Sequence, residues 1–275
     1  MTEISLPPLP LTDWQATRDT LQTYAQLLGQ IRRALSPAQK HWWHISLHTT
    51  AVGLTTTPIP AGDQIFELTL DLTRHQLGLA TNRGETAVIP LGGQSAAAFC
   101  AETLSILHGW DIDPAIDQTK FADETEGAYS ETAVSTFWHA LFQIDAVLKE
   151  FKAGFRGETS PVQLWPHHFD LAVVWLTGRL VPGQDPDNPD YADEQMNFGF
   201  SAGDQSIPEP YFYATAYPTP AEFTSGALPE EAYWQAAGWT GAVLPYAVLV
   251  PDPHPRERLL RFFHAAHKAG SRLMK

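Results

Sequence analysis

Residues 65–72, Ile65-Phe66-Glu67-Leu68-Thr69-Leu70-Asp71-Leu72, decide the fold class because apolar and polar side chains alternate along them. A period of two predicts a β-strand with one face in the core. Two shorter strand patterns, at residues 77–81 and 86–91, flank the turn-forming sequence Asn82-Arg83-Gly84. Strands joined by so short a connection pair antiparallel, because parallel strands need a long crossover.

Helical spacing of apolar residues accounts for much of the remaining chain. It predicts long helices near residues 12–35, 95–108, 131–151 and 255–273, and further strand patterns lie at residues 44–54, 160–177, 197–201, 211–217 and 243–250. The predicted fold class is α+β, with mostly antiparallel sheets packed by long helices.

The order of helix, strands and helix occurs twice, which indicates two pseudo-repeated halves and an ancient duplication. We expect an N-terminal half at residues 1–110, an acidic linker at 111–129 and a C-terminal half at 130–275, packed as one globular unit.

The charge balance excludes some classes of partner. The chain of 275 residues has 17 basic and 31 acidic residues and a net charge of −14. It lacks the basic footprint of a nucleic-acid-binding protein, and the same charge disfavours an anionic membrane surface. A local basic pocket for a small anion stays compatible with this composition.

Localisation is predicted from what the sequence lacks. Residues 1–4 have no basic and apolar leader, no apolar run reaches membrane-spanning length, and Cys100 is the single cysteine. We therefore expect a cytoplasmic protein without an internal disulfide or a cysteine-based zinc site.

The first histidine-rich stretch is His41-Trp42-Trp43-His44-Ile45-Ser46-Leu47-His48. Read as a strand, it places Trp42, His44 and His48 on one face. His44 and His48 would then lie roughly 13 Å apart, so a metal ion would need ligands from a neighbouring strand. The alternative is that these histidines are structural.

The second stretch is Trp165-Pro166-His167-His168-Phe169-Asp170-Leu171. Read as a strand, it places His168 and Asp170 on one face, which suits an oriented general base or two metal ligands. If both stretches meet, His44, His168 and Asp170 form a catalytic centre, and the same three are candidate ligands of a divalent metal.

Five aromatic and acidic residues are predicted to line a small-molecule pocket: Trp42, Trp165, Glu209, Tyr211 and Tyr213. Glu209 is held between two prolines, and Tyr211 and Tyr213 share a strand face. A row of tyrosines is equally compatible with an amphipathic sheet surface. The chain has no phosphate-binding loop, no Gly-x-Ser-x-Gly elbow and no His-Glu-x-x-His motif.

Several motifs resemble the bacterial domain of unknown function 5996 family. They are Trp42-Trp43-His44, Gly53-Leu54-Thr55-Thr56, Pro58-Ile59-Pro60, Ser160-Pro161-Val162, Phe169-Asp170-Leu171-Ala172, Pro208-Glu209-Pro210 and Leu244-Pro245-Tyr246. The resemblance implies a bacterial, cytosolic, single-chain protein and no assigned activity. Related proteins have a Trp-Pro-Glu-His-Phe-Asp motif, and His167 stands here in place of its glutamate.

Three functions stay open at this point. The chain is an enzyme, metal-assisted or using His and Asp as acid and base, or it is a non-catalytic protein that binds a small ligand. In the third alternative it is a structural or interaction protein whose histidines are structural. The sequence does not specify a ligand, a reaction or an oligomeric state.

Overall fold

The fold is α+β, as predicted, and contains two antiparallel sheets. A computed structural model describes residues 4–274. The chain forms two compact units. Unit 1 comprises Met1–Asp13, His139–Gln163 and Asp170–Lys275, and unit 2 comprises Trp14–Trp138 and Leu164–Phe169. The proposed duplication and the division at residues 110 and 130 stay predictions.

The sheet of unit 2 is built on the alternating segment. Its strands are β1 (His48–Thr49), β2 (Gly53–Thr55), β3 (Ile59–Ala61), β4 (Gln64–Asp71), β5 (Gln76–Thr81) and β6 (Thr86–Pro90). The order is β1-β2-β4-β5-β6, with β3 also paired to β4. Leu68 pairs with Leu79 and Leu70 with Leu77, and all four side chains are buried. The predicted apolar face is therefore the core face of this sheet.

Two helices complete the core of unit 2. They are α1 (Gln15–Leu35) and α2 (Ala96–Gly109), both close to the predicted bounds. The hydroxyl of Ser95 caps α2 by accepting a hydrogen bond from the backbone N–H of Ala98. Tyr24 of α1 stacks on Phe99 of α2, with ring centroids 4.0 Å apart.

Unit 1 contains the second sheet. Its strands are β7 (Gln163–Trp165), β8 (Asp170–Leu180), β9 (Asp193–Ser201), β10 (Tyr211–Tyr217), β11 (Tyr233–Gln235) and β12 (Gly241–Pro245), in the order β11-β12-β10-β9-β8-β7. Of β7, only Gln163 belongs to unit 1. The helices are α3 (Glu131–Ala153), which belongs to this unit from His139 onward, and α4 (Pro255–Ser271). Phe151 of α3 contacts Phe198 of β9 and Phe263 of α4, at centroid distances of 4.8 and 5.2 Å. This aromatic cluster covers one face of the sheet.

The central parts of both histidine-rich stretches were wrongly predicted as strands, whereas His48, Trp165 and Asp170 do lie in strands. Lys40–Ile45 forms 3-10 turns, and His41 and Trp42 have positive φ values of 51° and 56°, which an extended strand cannot accommodate. Residues 166–169 form a turn in which the N–H of Phe169 bonds the carbonyl of Trp165. The predicted strand at 160–177 is consequently two strands, β7 and β8.

Length and hydropathy decide whether a helix can span a membrane. Between residues 4 and 274, none is both long enough and apolar enough to cross a bilayer.

Candidate functional site

His44 and Trp42 lie in unit 2, in the 3-10 segment that follows α1. His44 is 3% exposed, and its Nδ1 accepts a hydrogen bond from the backbone N–H of Gln39 at 3.2 Å. Trp42 is half-buried and stacks on His44 with a centroid distance of 5.6 Å. Burial, followed by the positive charges of Arg32 and Arg33, lowers the pKa of His44. The imidazole is therefore neutral at pH 7.

Trp165 ends β7 and His168 lies in the turn that follows, and both belong to unit 2. The His168 ring is exposed, with its centroid 4.3 Å from that of His167. The turn is anchored on α1, because the carbonyl of His167 accepts a hydrogen bond from Gln22 at 2.8 Å. Pro166 also lies so close to α1 that a Cβ on Gly29 would come within 2.9 Å of its ring. His168 is thus presented at the surface of this unit.

Asp170 begins β8 in unit 1, where it interacts with Tyr213. The hydroxyl of Tyr213 on β10 donates a hydrogen bond to the Asp170 carboxylate, which is 8% exposed. Strand β9 lies between these two residues, so the tyrosine ring crosses it at Gly199. A Cβ on Gly199 would lie 2.7 Å from Cζ and the hydroxyl oxygen of Tyr213. Only glycine leaves space for this crossing.

Tyr211 and Glu209 precede Tyr213 in the sequence and belong to unit 1. The hydroxyl of Tyr211 donates to Oδ2 of Asp204 at 2.6 Å, and its ring stacks on Trp239 at 6.2 Å. The Glu209 side chain is exposed, and its Oε2 accepts a hydrogen bond from the N–H of Leu11 at 3.2 Å. Burial and the adjacent Asp204 raise the pKa of Tyr211. Both tyrosine hydroxyls are therefore protonated donors already bound to internal carboxylates.

The three predicted catalytic residues are divided between the units, with His44 and His168 in unit 2 and Asp170 in unit 1. Their catalytic role stays a prediction. Among residues 4–274, no group of three or more His, Cys, Asp and Glu side chains is arranged to hold a metal ion. The role of His44, His168 and Asp170 as ligands of a divalent metal likewise stays a prediction.

Unit 2 contains a surface cleft of about 310 Å³ that the sequence did not predict. It lies between α1, the start of α2 and the acidic segment before α3. Its lining consists of small, hydroxylated, amide and acidic residues: Ala16, Asp19, Thr20, Thr23, Tyr24, Gln94, Ala96, Asp123, Thr125, Glu126, Gly127 and Ala128. Three carboxylates line it, whereas Lys, Arg and His are absent from the lining.

Two glycines shape the wall of the cleft. A Cβ on Gly127 would lie 2.5 Å from the hydroxyl oxygen of Thr20, so only glycine lets the acidic segment approach α1 this closely. The N–H of Gly127 donates to the carbonyl of Gly93 at 2.8 Å. Gly93 has a φ of +88°, and a Cβ there would lie 2.5 Å from the Gly127 oxygen. The segment predicted as a linker is thus fixed against the helices of unit 2.

Hydrogen bonds hold the polar lining in place. The hydroxyl of Tyr24 donates to the carbonyl of Gln94 at 3.0 Å, and burial raises the Tyr24 pKa to about 12. A carboxylate oxygen of Asp123 accepts the backbone N–H of Thr125 at 2.9 Å, and hydrogen bonds from Thr125 lower the Asp123 pKa. At neutral pH the cleft therefore combines a neutral phenol with an ionised carboxylate.

The fold and the cleft define an α+β protein with two antiparallel sheets and an acidic surface cleft. The chain belongs to the family of unknown function DUF5996, whose model matches residues 6–275. No curated protein and no solved structure matches the chain.

None of the eight site residues predicted from the sequence lines the cleft. The signal that could have indicated it is the sequence Asp123-Glu124-Thr125-Glu126-Gly127, in which a flexible glycine follows a run of acidic residues. From the sequence alone, that run is interpreted as part of a linker. The close approach of Gly127 to Thr20 is a contact between residues distant in the sequence, so the local pattern does not indicate it.

Proposed function

We propose that the protein binds a small molecule with an ammonium or guanidinium group in the acidic cleft of unit 2. The observation that carries this proposal is the cleft of about 310 Å³, lined by Asp19, Asp123 and Glu126 and by no basic side chain. A concave site with a few convergent polar groups is the usual form of a small-molecule site.

The lining specifies the class of ligand. Asp123 and Glu126 are exposed carboxylates on one wall, and Asp19 on the opposite wall is paired with Arg18 at 2.6 Å. Arg18 neutralises the charge of Asp19 but not that of the other wall. The net negative charge of the cleft therefore lies on the side of Asp123 and Glu126. The hydroxyls of Thr20, Thr23 and Thr125 add neutral hydrogen-bonding groups.

The size of the cleft limits the ligand. Ligand pockets span about 300–1,000 Å³, and this cleft lies at the lower end of that range. A compact amine, diamine or amino alcohol fits this volume. The non-catalytic binding function is therefore the one that the cleft supports.

Isothermal titration calorimetry tests the proposal with 1,4-diaminobutane as probe and 1,4-butanediol as the neutral analogue of the same length. We expect saturable binding of the diamine and none of the diol. Asp123→Asn and Glu126→Gln each remove one negative charge with little change in shape, and each should weaken diamine binding about fivefold or more.

Asp117→Asn is the matched control. Asp117 is exposed on the same acidic segment and accepts the N–H of Thr119 as Asp123 accepts that of Thr125, but it does not line the cleft. Equal weakening by Asp117→Asn would mean that net charge alone attracts the amine. Binding of diol and diamine with similar affinity would contradict the proposed ligand class.

A catalytic function of His44, His168 and Asp170 is the second candidate. The observation that favours it is that Asp170 is buried and hydrogen-bonded to Tyr213, as a held acid or base would be. Elemental analysis of the wild type and of His168→Ala addresses the metal-assisted form. A stoichiometric metal content in the wild type that decreases in His168→Ala would support metal-assisted catalysis. Wild-type protein without metal would contradict that form, and acid–base catalysis and ligand binding would be the remaining alternatives.

A further inference from the structure

The C-terminal end of α1 and the turn that follows it form a basic region within an acidic protein. Residues 20–62 contain no Asp or Glu, although the chain has 31 acidic residues. The arginine–histidine turn is defined here as Arg32, Arg33, Gln39, Trp42 and His44. All five belong to unit 2.

Arg32 is a buried cation that has no carboxylate partner among the residues that the structure describes. Its side chain donates from one terminal nitrogen to the carbonyl of Ser46, and the residue is 6% exposed. Within residues 4–274, its Nε is buried and has no hydrogen-bond partner, and no ion pair involves it. Burial lowers its pKa to about 10, so it is still charged at neutral pH. A buried charge without a counterion is costly, and a bound anion would offset that cost.

The neighbouring side chains also offer donors. Because Nδ1 of His44 accepts the N–H of Gln39, the neutral imidazole carries its proton on Nε2 and can donate from there. The Arg33 guanidinium lies 4.8 Å from the centre of the Trp42 ring, which in turn stacks on His44. This stack places a second arginine beside the histidine.

A tryptophan adds one more buried donor. The Nε1 of Trp43 is buried and has no acceptor in the part of the chain that the structure describes. Nε of Arg32 and Nε1 of Trp43 are thus two buried N–H donors of unit 2 without an acceptor among the described residues. An anion supplies acceptors, whereas a cation or an apolar ligand does not.

We propose that the arginine–histidine turn binds a small oxyanion, such as a phosphate or a carboxylate. The guanidinium of Arg32 supplies the buried charge, and Nε2 of His44 supplies a neutral donor. Arg33 and Gln39 are exposed, so one side of the turn faces solvent. This site is separate from the acidic cleft and does not depend on the function proposed for it.

Binding of inorganic phosphate and of acetate to the full chain tests the proposal, with ionic strength held constant by sodium chloride. We expect a saturable calorimetric signal and a concentration-dependent rise in melting temperature with at least one of the two oxyanions. A response to both phosphate and acetate would mean that the site recognises oxyanions in general. A response to phosphate alone would mean that it is a phosphate site. Chloride alone should give neither effect.

Three variants locate the site. Arg32→Met removes the buried charge and should weaken oxyanion binding about tenfold or more, and Arg33→Gln, at an exposed position that leaves the core intact, should weaken it several-fold. Arg83→Gln is the control, because Arg83 is an exposed arginine of the same unit that is paired with Asp63. It should bind as the wild type does.

Two results would overturn the proposal. One is a wild type that responds to phosphate and acetate no more than to chloride. The other is an oxyanion affinity that is unchanged in both Arg32→Met and Arg33→Gln. If Arg32→Met does not fold, Arg33→Gln and His44→Gln decide the outcome. An unchanged response to diaminobutane in these variants shows that the acidic cleft is intact.

Discussion

Gly199→Ala should destabilise unit 1, because the added methyl group collides with the Tyr213 ring. The Cβ would lie 2.7 Å from Cζ and the hydroxyl oxygen and 2.8 Å from Cε1 of that tyrosine. Carbon atoms in contact prefer about 3.5–4.0 Å, so the ring must move by roughly 0.8 Å or more. Such a shift draws the hydroxyl away from the Asp170 carboxylate.

The expected cost combines two effects. Overpacking a well-packed position costs about 1–3 kcal/mol. A hydrogen bond to a charged group contributes about 1.5–3 kcal/mol. Alanine in a strand gains back roughly 0.5–1 kcal/mol relative to glycine. The free energy of unfolding should therefore fall by about 3 kcal/mol.

Urea denaturation measures the energetic coupling between positions 199 and 213. Four proteins are compared: the wild type, Gly199→Ala, Tyr213→Leu and the double variant. Leucine lacks Cζ and the hydroxyl oxygen, so Gly199→Ala should cost less than about 1 kcal/mol when Tyr213 is leucine. An equal cost in both backgrounds would refute the explanation, because the alanine would then be acting on something other than this ring.

Two further predictions concern a titrating group and a helix cap. Burial, with the nearby His264, lowers the pKa of His267 to about 4 against about 6.5 in the unfolded chain. The contribution of the neutral His267 ring to the free energy of unfolding is fully present above pH 6.5 and is lost as the pH falls through 4. We expect about 1–2 kcal/mol over that window, less than full burial would give because solvent reaches part of the ring. In urea melts, His267→Phe should flatten this dependence, and an unchanged slope would contradict it. Ser95→Ala removes the hydroxyl that accepts the N–H of Ala98 and should cost about 1 kcal/mol, whereas Ser105→Ala, exposed within the same helix, should cost nothing measurable.

The fold class could be predicted because its signals are local. The alternation at residues 65–72 reports directly on which side chains face the core, and β4 and β5 pair as that pattern requires. The helices were predicted within a few residues for the same reason. The histidine-rich stretches were mispredicted because their composition suits a strand, whereas the positive φ angles of His41 and Trp42 do not follow from residue type.

The candidate sites depend on contacts distant in sequence. The acidic segment forms a cleft wall only because Gly127 meets Thr20, and Tyr213 reaches Asp170 only because Gly199 lies between them. The composition nevertheless indicated one relevant possibility, because it was compatible with a local basic pocket for a small anion. The acid-free residues 20–62 are where Arg32 is buried.

Helix α1 contributes to both proposed sites, and its geometry predicts that they act independently. Thr20 lines the acidic cleft and Arg32 belongs to the arginine–histidine turn, so the two positions are roughly 18 Å apart along the helix axis. Sites at that distance without shared partners contribute additively. The increases in melting temperature caused by diaminobutane and by an oxyanion should therefore sum when both are present. A combined effect well below the sum would instead indicate that both probes compete for one site.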